Sequence, residues 1–247
     1  MGNIYDDVVE VARRTMTLFF VVDTSGSMDG TKIGTLNQAI EDVIPEIRDI
    51  SESNADAEIK IAVLEFSNGA HWITPSPVPS EGFDWQYLNA IGTTDLGAAC
   101  RALNEKLSRN SFMSDITGSF APAIFLLSDG APTDSYRKSL DELWKNNWFK
   151  KAIKVAVAIG DDAKKDVLAE FTGNIETVLS VHNPESLKKM IRFVSVTSSQ
   201  IGSQSSAVGE GDIDEIKSKQ AVFVDQVNAA YDNGDFDEND FEDSENW

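Results

Sequence analysis

Apolar residues fall along this chain in two alternating rhythms. Residues 17–22, Thr-Leu-Phe-Phe-Val-Val, form a run rich in Val and Phe that ends at an Asp/Ser/Gly cluster. Such a run predicts a strand covered on both faces, and so a central strand of a parallel sheet. From 31 to 51 the apolar positions Ile33, Leu36, Ile40, Val43, Ile44, Ile47 and Ile50 recur at steps of three and four. That is the stripe of an amphipathic helix, with a kink expected at Pro45. Residues 59–66 read as a second strand, and Ser67-Asn68-Gly69 turns it into an antiparallel neighbour over 71–74. Pro75, Pro77 and Pro79 suit a sheet edge.

The alternation continues with a helix over 95–109, a strand over 123–128, a helix over 135–147, a strand over 153–159, a helix over 162–171 and a strand over 175–179. Pro184 opens a last helix to about Gln200. Strands and helices in this order predict an α/β fold, doubly wound and Rossmann-like, with a mostly parallel central sheet and helices on both faces. The chain divides into an N-terminal extension (1–16), a domain (17–200) and a linker with an acidic, aromatic-containing tail (201–247). Gly202-Ser203-Gln204-Ser205-Ser206 reads as flexible linker. Ile213, Ile216, Val224, Val227 and Tyr231 are spaced for one face of a short helix near 213–231.

Composition narrows the function classes. With 247 residues, 41% hydrophobic and 25% charged, the chain is of ordinary globular make-up and can bury a sizeable core. Its formal charge of −20 repels nucleic-acid phosphates, so no nucleic-acid partner is expected. More than half of that excess, −11, lies between Glu210 and Trp247. There Tyr231, Phe236, Phe241 and Trp247 are interleaved with acids, a pattern that suits a solvated segment or one that docks on a basic partner. The longest apolar run, Leu18 to Val22, is too short to cross a bilayer, so no membrane partner is expected either. A lone Cys100 cannot form an internal disulfide and fits a reducing, cytoplasmic setting.

The candidate chemistry lies in three segments. Asp23-Thr24-Ser25-Gly26-Ser27 follows the first strand at its carboxyl end, where open α/β sheets place their ligands. A carboxylate and two hydroxyls at alternate positions of a tight turn can point at one centre. Gly92-Thr93-Thr94-Asp95 adds hydroxyls in a loop opening a helix, and Ser128-Asp129-Gly130 adds a second carboxylate at the end of a buried strand. Hard oxygen donors of this kind suit Mg2+, Mn2+ or Ca2+ and are poor for zinc. The bland alternative is a set of turns that cap the following helices.

These segments, in this order, resemble those of the von Willebrand factor A (VWA) domain family over about residues 16–199: Phe19 to Met28 with its Asp-Thr-Ser-Gly-Ser core, then Gly92-Thr93-Thr94-Asp95, then Phe125 to Gly130. The resemblance implies a metal-ion-dependent adhesion site (MIDAS) formed by Asp23, Ser25, Ser27, Thr94 and Asp129. Of the adjacent Thr93 and Thr94, the family's Gly-x-Thr pattern favours Thr94, and Ser128 stands outside the set where Thr is commoner. Mg2+ is the expected cofactor, with Mn2+ or Ca2+ as alternatives. A partner protein would offer an Asp or Glu to the metal. The segment from Leu126 to Asp134 looks most like the intracellular bacterial TerY-like branch, associated with tellurium resistance, stress response or defence. That likeness implies a protein kinase and a PP2C-type phosphatase as partners. An adaptor for a MoxR-type AAA+ ATPase is the alternative.

An enzyme reading is weaker. A haloacid-dehalogenase-type phosphatase needs a second Asp two residues after Asp23, where this chain has Ser25. No Gly-x-x-x-x-Gly-Lys loop is present, and neither His71 nor His182 stands in a recognisable Ser/His/Asp arrangement. A non-enzymatic binding module is therefore expected, with a metal-dependent phosphohydrolase as the other class. His71, His182 and Cys100 read as packing or surface residues. Trp144 and Trp148 are placed four apart on one helix and read as packing partners beside Phe149. Asp235, Asp237 and Asn239 begin like an EF-hand loop, but Asp240 replaces its Gly and Asn246 its bidentate Glu, which excludes that reading.

Overall fold

Strand β1 (Arg14–Asp23) is buried from its second residue to its last. That burial fits the unbroken apolar run, because a strand covered on both faces has no polar side to present. The computed structural model describes residues 13–115, 118–161, 163–203 and 218–234. β2 (Ala57–Ser67) and β5 (Ala123–Ser128) pair in parallel with β1 on its two edges, and β6 (Ile153–Ile159) and β7 (Val178–Val181) extend the sheet beyond β5. β3 (Gly69–Trp72) and the two-residue β4 (Val78–Pro79) pair antiparallel with β2. The order β3-β2-β1-β5-β6-β7 makes β1 the strand at which the winding reverses. Its register with β5 ends at Val22 opposite Leu127, so Asp23 and Ser128 leave the sheet side by side.

Two apolar layers cover the sheet. Leu18, Phe20 and Val22 face a layer containing α1 (Thr31–Ser53) and α6 (Pro184–Ser203). Phe19 and Val21 face the layer built from α2 (Leu96–Lys106), α3 (Arg137–Lys145), α4 (Asn147–Lys151) and α5 (Lys165–Thr172). The doubly wound architecture expected from the alternation is the one observed. α1 runs through Pro45 to Ser53 as a single helix.

Four local expectations change. Residues 175–177 form a 3-10 turn rather than the start of a strand, because the Asn174 side chain accepts the Glu176 N–H at 3.0 Å and caps a turn; β7 begins only at Val178. Trp144 and Trp148 lie on two helices, since Asn146 ends α3 and caps α4 by accepting the Trp148 N–H at 2.9 Å. Gly202 is helical: α6 extends to Ser203, and a methyl on Gly202 would lie 2.2 Å from Met16 Cε, so the missing side chain lets α6 approach β1. The fourth change concerns the tail. Helix α7 (Lys219–Asp232) buries Phe223, Val227 and Ala230 in the same layer as α1 and α6. Val227 belongs to the predicted face, but Phe223 takes the central place and Tyr231 is exposed. The packed unit therefore continues beyond residue 200. Residues 1–12, Ile213, Ile216 and the aromatic positions Phe236, Phe241 and Trp247 lie outside the described residues.

Candidate metal centre

The carboxyl ends of β1 and β5 bring the sequence-predicted residues to one place. Asp23 closes β1, fully buried, and the chain turns at once into a 3-10 turn over Gly26–Met28. The Ser25 N–H donates to Asp23 Oδ1 at 2.9 Å, and Ser128 Oγ donates to Asp23 Oδ2 at 2.6 Å. Burial pushes the Asp23 carboxyl above its ordinary range, against the pull of the Ser128 and Ser25 hydrogen bonds, and the charge of Asp129 adds to the rise.

A string of oxygens continues from this pair. Ser25 Oγ lies 3.1 Å from Ser27 Oγ, and Ser27 Oγ donates to Asp129 Oδ1 at 2.7 Å. Ser25 and Asp129 are buried, at 2% and 1% exposure, whereas Ser27 between them is exposed, so the string reaches the surface at its middle member. Thr94 faces the same point from the other side. A methyl on Gly130 would lie 3.5 Å from Ser27 Oγ and 3.7 Å from Thr94 Oγ1, so the two hydroxyls bracket that glycine. Ser25, Ser27 and Asp129 are thus linked through their side chains, Thr94 lies near Ser27 across Gly130, and Asp23 holds the Ser25 N–H behind them, although the five come from three segments separated by up to 106 positions.

The loop carrying Thr94 is held from outside the motif. Asn68, in the β2–β3 turn, accepts both the Thr93 N–H at 2.9 Å and the Thr93 hydroxyl at 2.8 Å. Ser67 O accepts the Asp95 N–H at 3.0 Å, Gly92 O accepts the Gly26 N–H at 3.0 Å, and Thr24 O accepts the Ile91 N–H at 2.8 Å. Gly92 has a positive φ of 97° and a side chain there would meet the Asn68 amide, so the turn needs glycine. These contacts commit the Thr93 hydroxyl to Asn68 and leave the buried Thr94 to face Gly130. From the far side, the Thr133 N–H donates to Thr94 O at 2.9 Å. Asp134 Oδ2 accepts the Gly97 N–H at 2.9 Å. Burial, and then the adjoining Asp95 carboxyl, push Asp134 up to about 6.

Sequence reasoning left out Ser128, Asn68 and Lys32. Lys32 Nζ lies 2.7 Å from Asp129 Oδ2. Ser128 was legible as the residue before Asp129, but its contact with Asp23 depends on the β1–β5 register. Asn68 is 26 positions before Thr94 and carries no motif of its own. Among the described residues no group of three or more His, Cys, Asp or Glu side chains is placed to hold a metal. Any cation here would be bound largely by hydroxyls, which fits a hard divalent ion. No described helix is long and apolar enough to cross a membrane.

Residues 17–193 match the model of the von Willebrand factor type A domain. Proximal thread matrix protein 1 from the mussel byssus, in a form with a zinc-occupied MIDAS motif, is 17% identical over 75% of this chain and 49% of its own, with a TM-score of 0.55. A von Willebrand factor type A structure from Catenulispora acidiphila is 16% identical over 75% of this chain and 43% of its own, at 0.53. The ArnB paralog VWA2 from Sulfolobus acidocaldarius is 17% identical over 73% and 45%, at 0.52. The chain thus spans about half the length of these structures, and the likeness is one of fold. No curated protein matches it in sequence.

Proposed function

Because the chain belongs to the von Willebrand factor type A domain family, we propose that it is a metal-dependent protein-binding module whose site is built from Asp23, Ser25, Ser27, Thr94 and Asp129. The observation that carries this is the string Ser25 Oγ, Ser27 Oγ and Asp129 Oδ1, with steps of 3.1 and 2.7 Å, which joins two buried residues at the switch point of the sheet through the exposed Ser27. A divalent cation, Mg2+ by the hardness of these donors, supplies there a positive charge that an Asp or Glu of a partner protein can reach. An ion held mainly by the three neutral hydroxyls, with Asp23 and Asp129 binding directly or through water, keeps positive charge at its open position for a carboxylate of the partner. Such a contact desolvates opposite charges in defined geometry, so a single acidic residue of the partner can dominate recognition.

The residues around the site orient these donors. The Ser25 N–H and Ser128 Oγ fix both oxygens of Asp23, and the Asn68 and Thr133 contacts fix the two sides of the Thr94 loop. Donors held in advance lose less freedom when a ligand binds. As for the setting, the resemblance of the segment from Leu126 to Asp134 to the TerY-like branch supports a bacterial stress-response or defence system with a kinase and a PP2C-type phosphatase.

Calorimetry with Mg2+, Mn2+ and Ca2+ on the wild type and on Asp23→Ala tests the metal, and pull-downs with and without chelator test the partner. Expected are saturable binding lost in Asp23→Ala with the circular dichroism spectrum retained, and a captured protein released by chelator. Unchanged capture under chelator and in Asp23→Ala would remove the metal from the mechanism. Turnover of a generic phosphoester with Mg2+ would favour the enzyme reading instead.

A further inference from the structure

Lys32 sits against one of the two carboxylates of the candidate site. Its Nζ lies 2.7 Å from Asp129 Oδ2, while Ser27 Oγ takes Oδ1 of the same carboxylate at 2.7 Å. Asp129 is 1% exposed and the Lys32 side chain 18%. Both oxygens of a buried carboxylate are therefore engaged, one of them by a full positive charge. Helix formation does not account for a lysine there. Lys32 is the second residue of α1, where the positive end of the helix dipole disfavours a cation. What does account for it is the pair of acids: Asp23 at 0% and Asp129 at 1% exposure stand at the ends of the adjacent strands β1 and β5. Two buried carboxylates without a counter-charge are costly.

We infer that Lys32 is a built-in counter-cation of this site, exchanging with the divalent ion at Asp129, so that it stabilises the metal-free fold and at the same time weakens metal binding. This rests on the metal-binding reading above and adds its regulation. A cation can take Asp129 only by displacing the ammonium or by sharing the carboxylate with it, and either route opposes binding. The lysine thus sets how much metal the site requires before it can accept a partner's carboxylate.

The test compares the full-length wild type with Lys32→Met and Lys32→Arg, by calorimetric Mg2+ and Mn2+ titration and by thermal unfolding in chelator and in saturating Mg2+. Lys32→Met is expected to bind Mg2+ about tenfold more tightly, the scale of one charge-assisted contact, and to melt lower than the wild type in chelator. It should also show the larger rise of melting temperature on adding metal, since ligand bound only to the native state stabilises according to its affinity. Lys32→Arg, which keeps the charge, is expected to stay near the wild type. A Lys32→Met chain that folds only with metal present supports the exchange in a stronger form; one unfolded under both conditions overturns it. Equal Mg2+ affinity in wild type and Lys32→Met overturns the exchange and leaves the metal site standing. No binding in either overturns the metal reading and the exchange with it.

Discussion

Ser128 Oγ donates a 2.6 Å hydrogen bond to Asp23 Oδ2, joining the last residue of β5 to the last residue of β1 inside the protein. Both residues are nearly inaccessible, at 4% and 0% exposure. The bond therefore ties the two halves of the sheet together at the base of the candidate site. Removing it leaves a buried carboxylate oxygen without its donor. Ser128→Ala is expected to cost about 1–3 kcal/mol of stability, read from urea unfolding, whereas Ser128→Thr keeps the hydroxyl and most of the stability. An alanine variant as stable as the wild type would show that the bond contributes nothing net.

Asn68 holds Thr93 by two hydrogen bonds and so positions Thr94 without touching the site. Asn68→Ala is expected to weaken Mg2+ binding about tenfold, the low end of the usual effect of removing a residue that orients ligands. Asn68→Asp keeps the acceptor and should recover part of that loss. Amide exchange over 91–95 provides an independent readout, since those N–H groups should lose protection in the alanine variant alone. If affinity falls equally in both variants, the accepting oxygen is not what positions the loop.

Lys154 lies on β6 at 3% exposure, donating to Phe149 O and Ala152 O at 3.1 and 2.9 Å. Burial pulls its ammonium down to about 8 from 10.5. Between those values the unfolded chain binds a proton that the folded one has released, so this group makes stability rise with pH from about 8 towards 10.5. Lys154→Met lacks this dependence. The stability of the wild type relative to Lys154→Met should therefore increase across that window and be flat below it, as followed by denaturant midpoints at successive pH values. A difference that stays constant from pH 7 to pH 10 would contradict the burial of the charge.

Phe223 of α7 is fully buried, with its ring 6.3 Å from that of Phe193 on α6. The Gln220 side chain also pairs with the backbone of β6, accepting the Lys154 N–H at 2.7 Å and donating to Lys154 O at 3.0 Å. Phe223→Ala is expected to destabilise by about 3–5 kcal/mol, and truncation after Ser203 to lower the melting temperature further, because α7 belongs to the core. A truncated chain that melts with the wild type would return α7 to the status of an appendage.

The amino-acid sequence by itself determined the winding of the fold and proposed the members of the candidate site. The apolar run of β1 and the period of α1 are local signals that depend only on which faces must be buried, and a motif such as Asp23-Thr24-Ser25-Gly26-Ser27 carries its own turn chemistry. The short strand β7 and the break between α3 and α4 were less legible, because Asn174 and Asn146 cap turns that apolar spacing does not record. Only the tertiary structure decided that Lys32 meets Asp129, that Asn68 holds Thr93, that Ser128 reaches Asp23 and that Phe223 enters the core. Each of these contacts joins residues at least 25 positions apart, so it exists only once strand register and helix packing have set the distances, and no local periodicity encodes it.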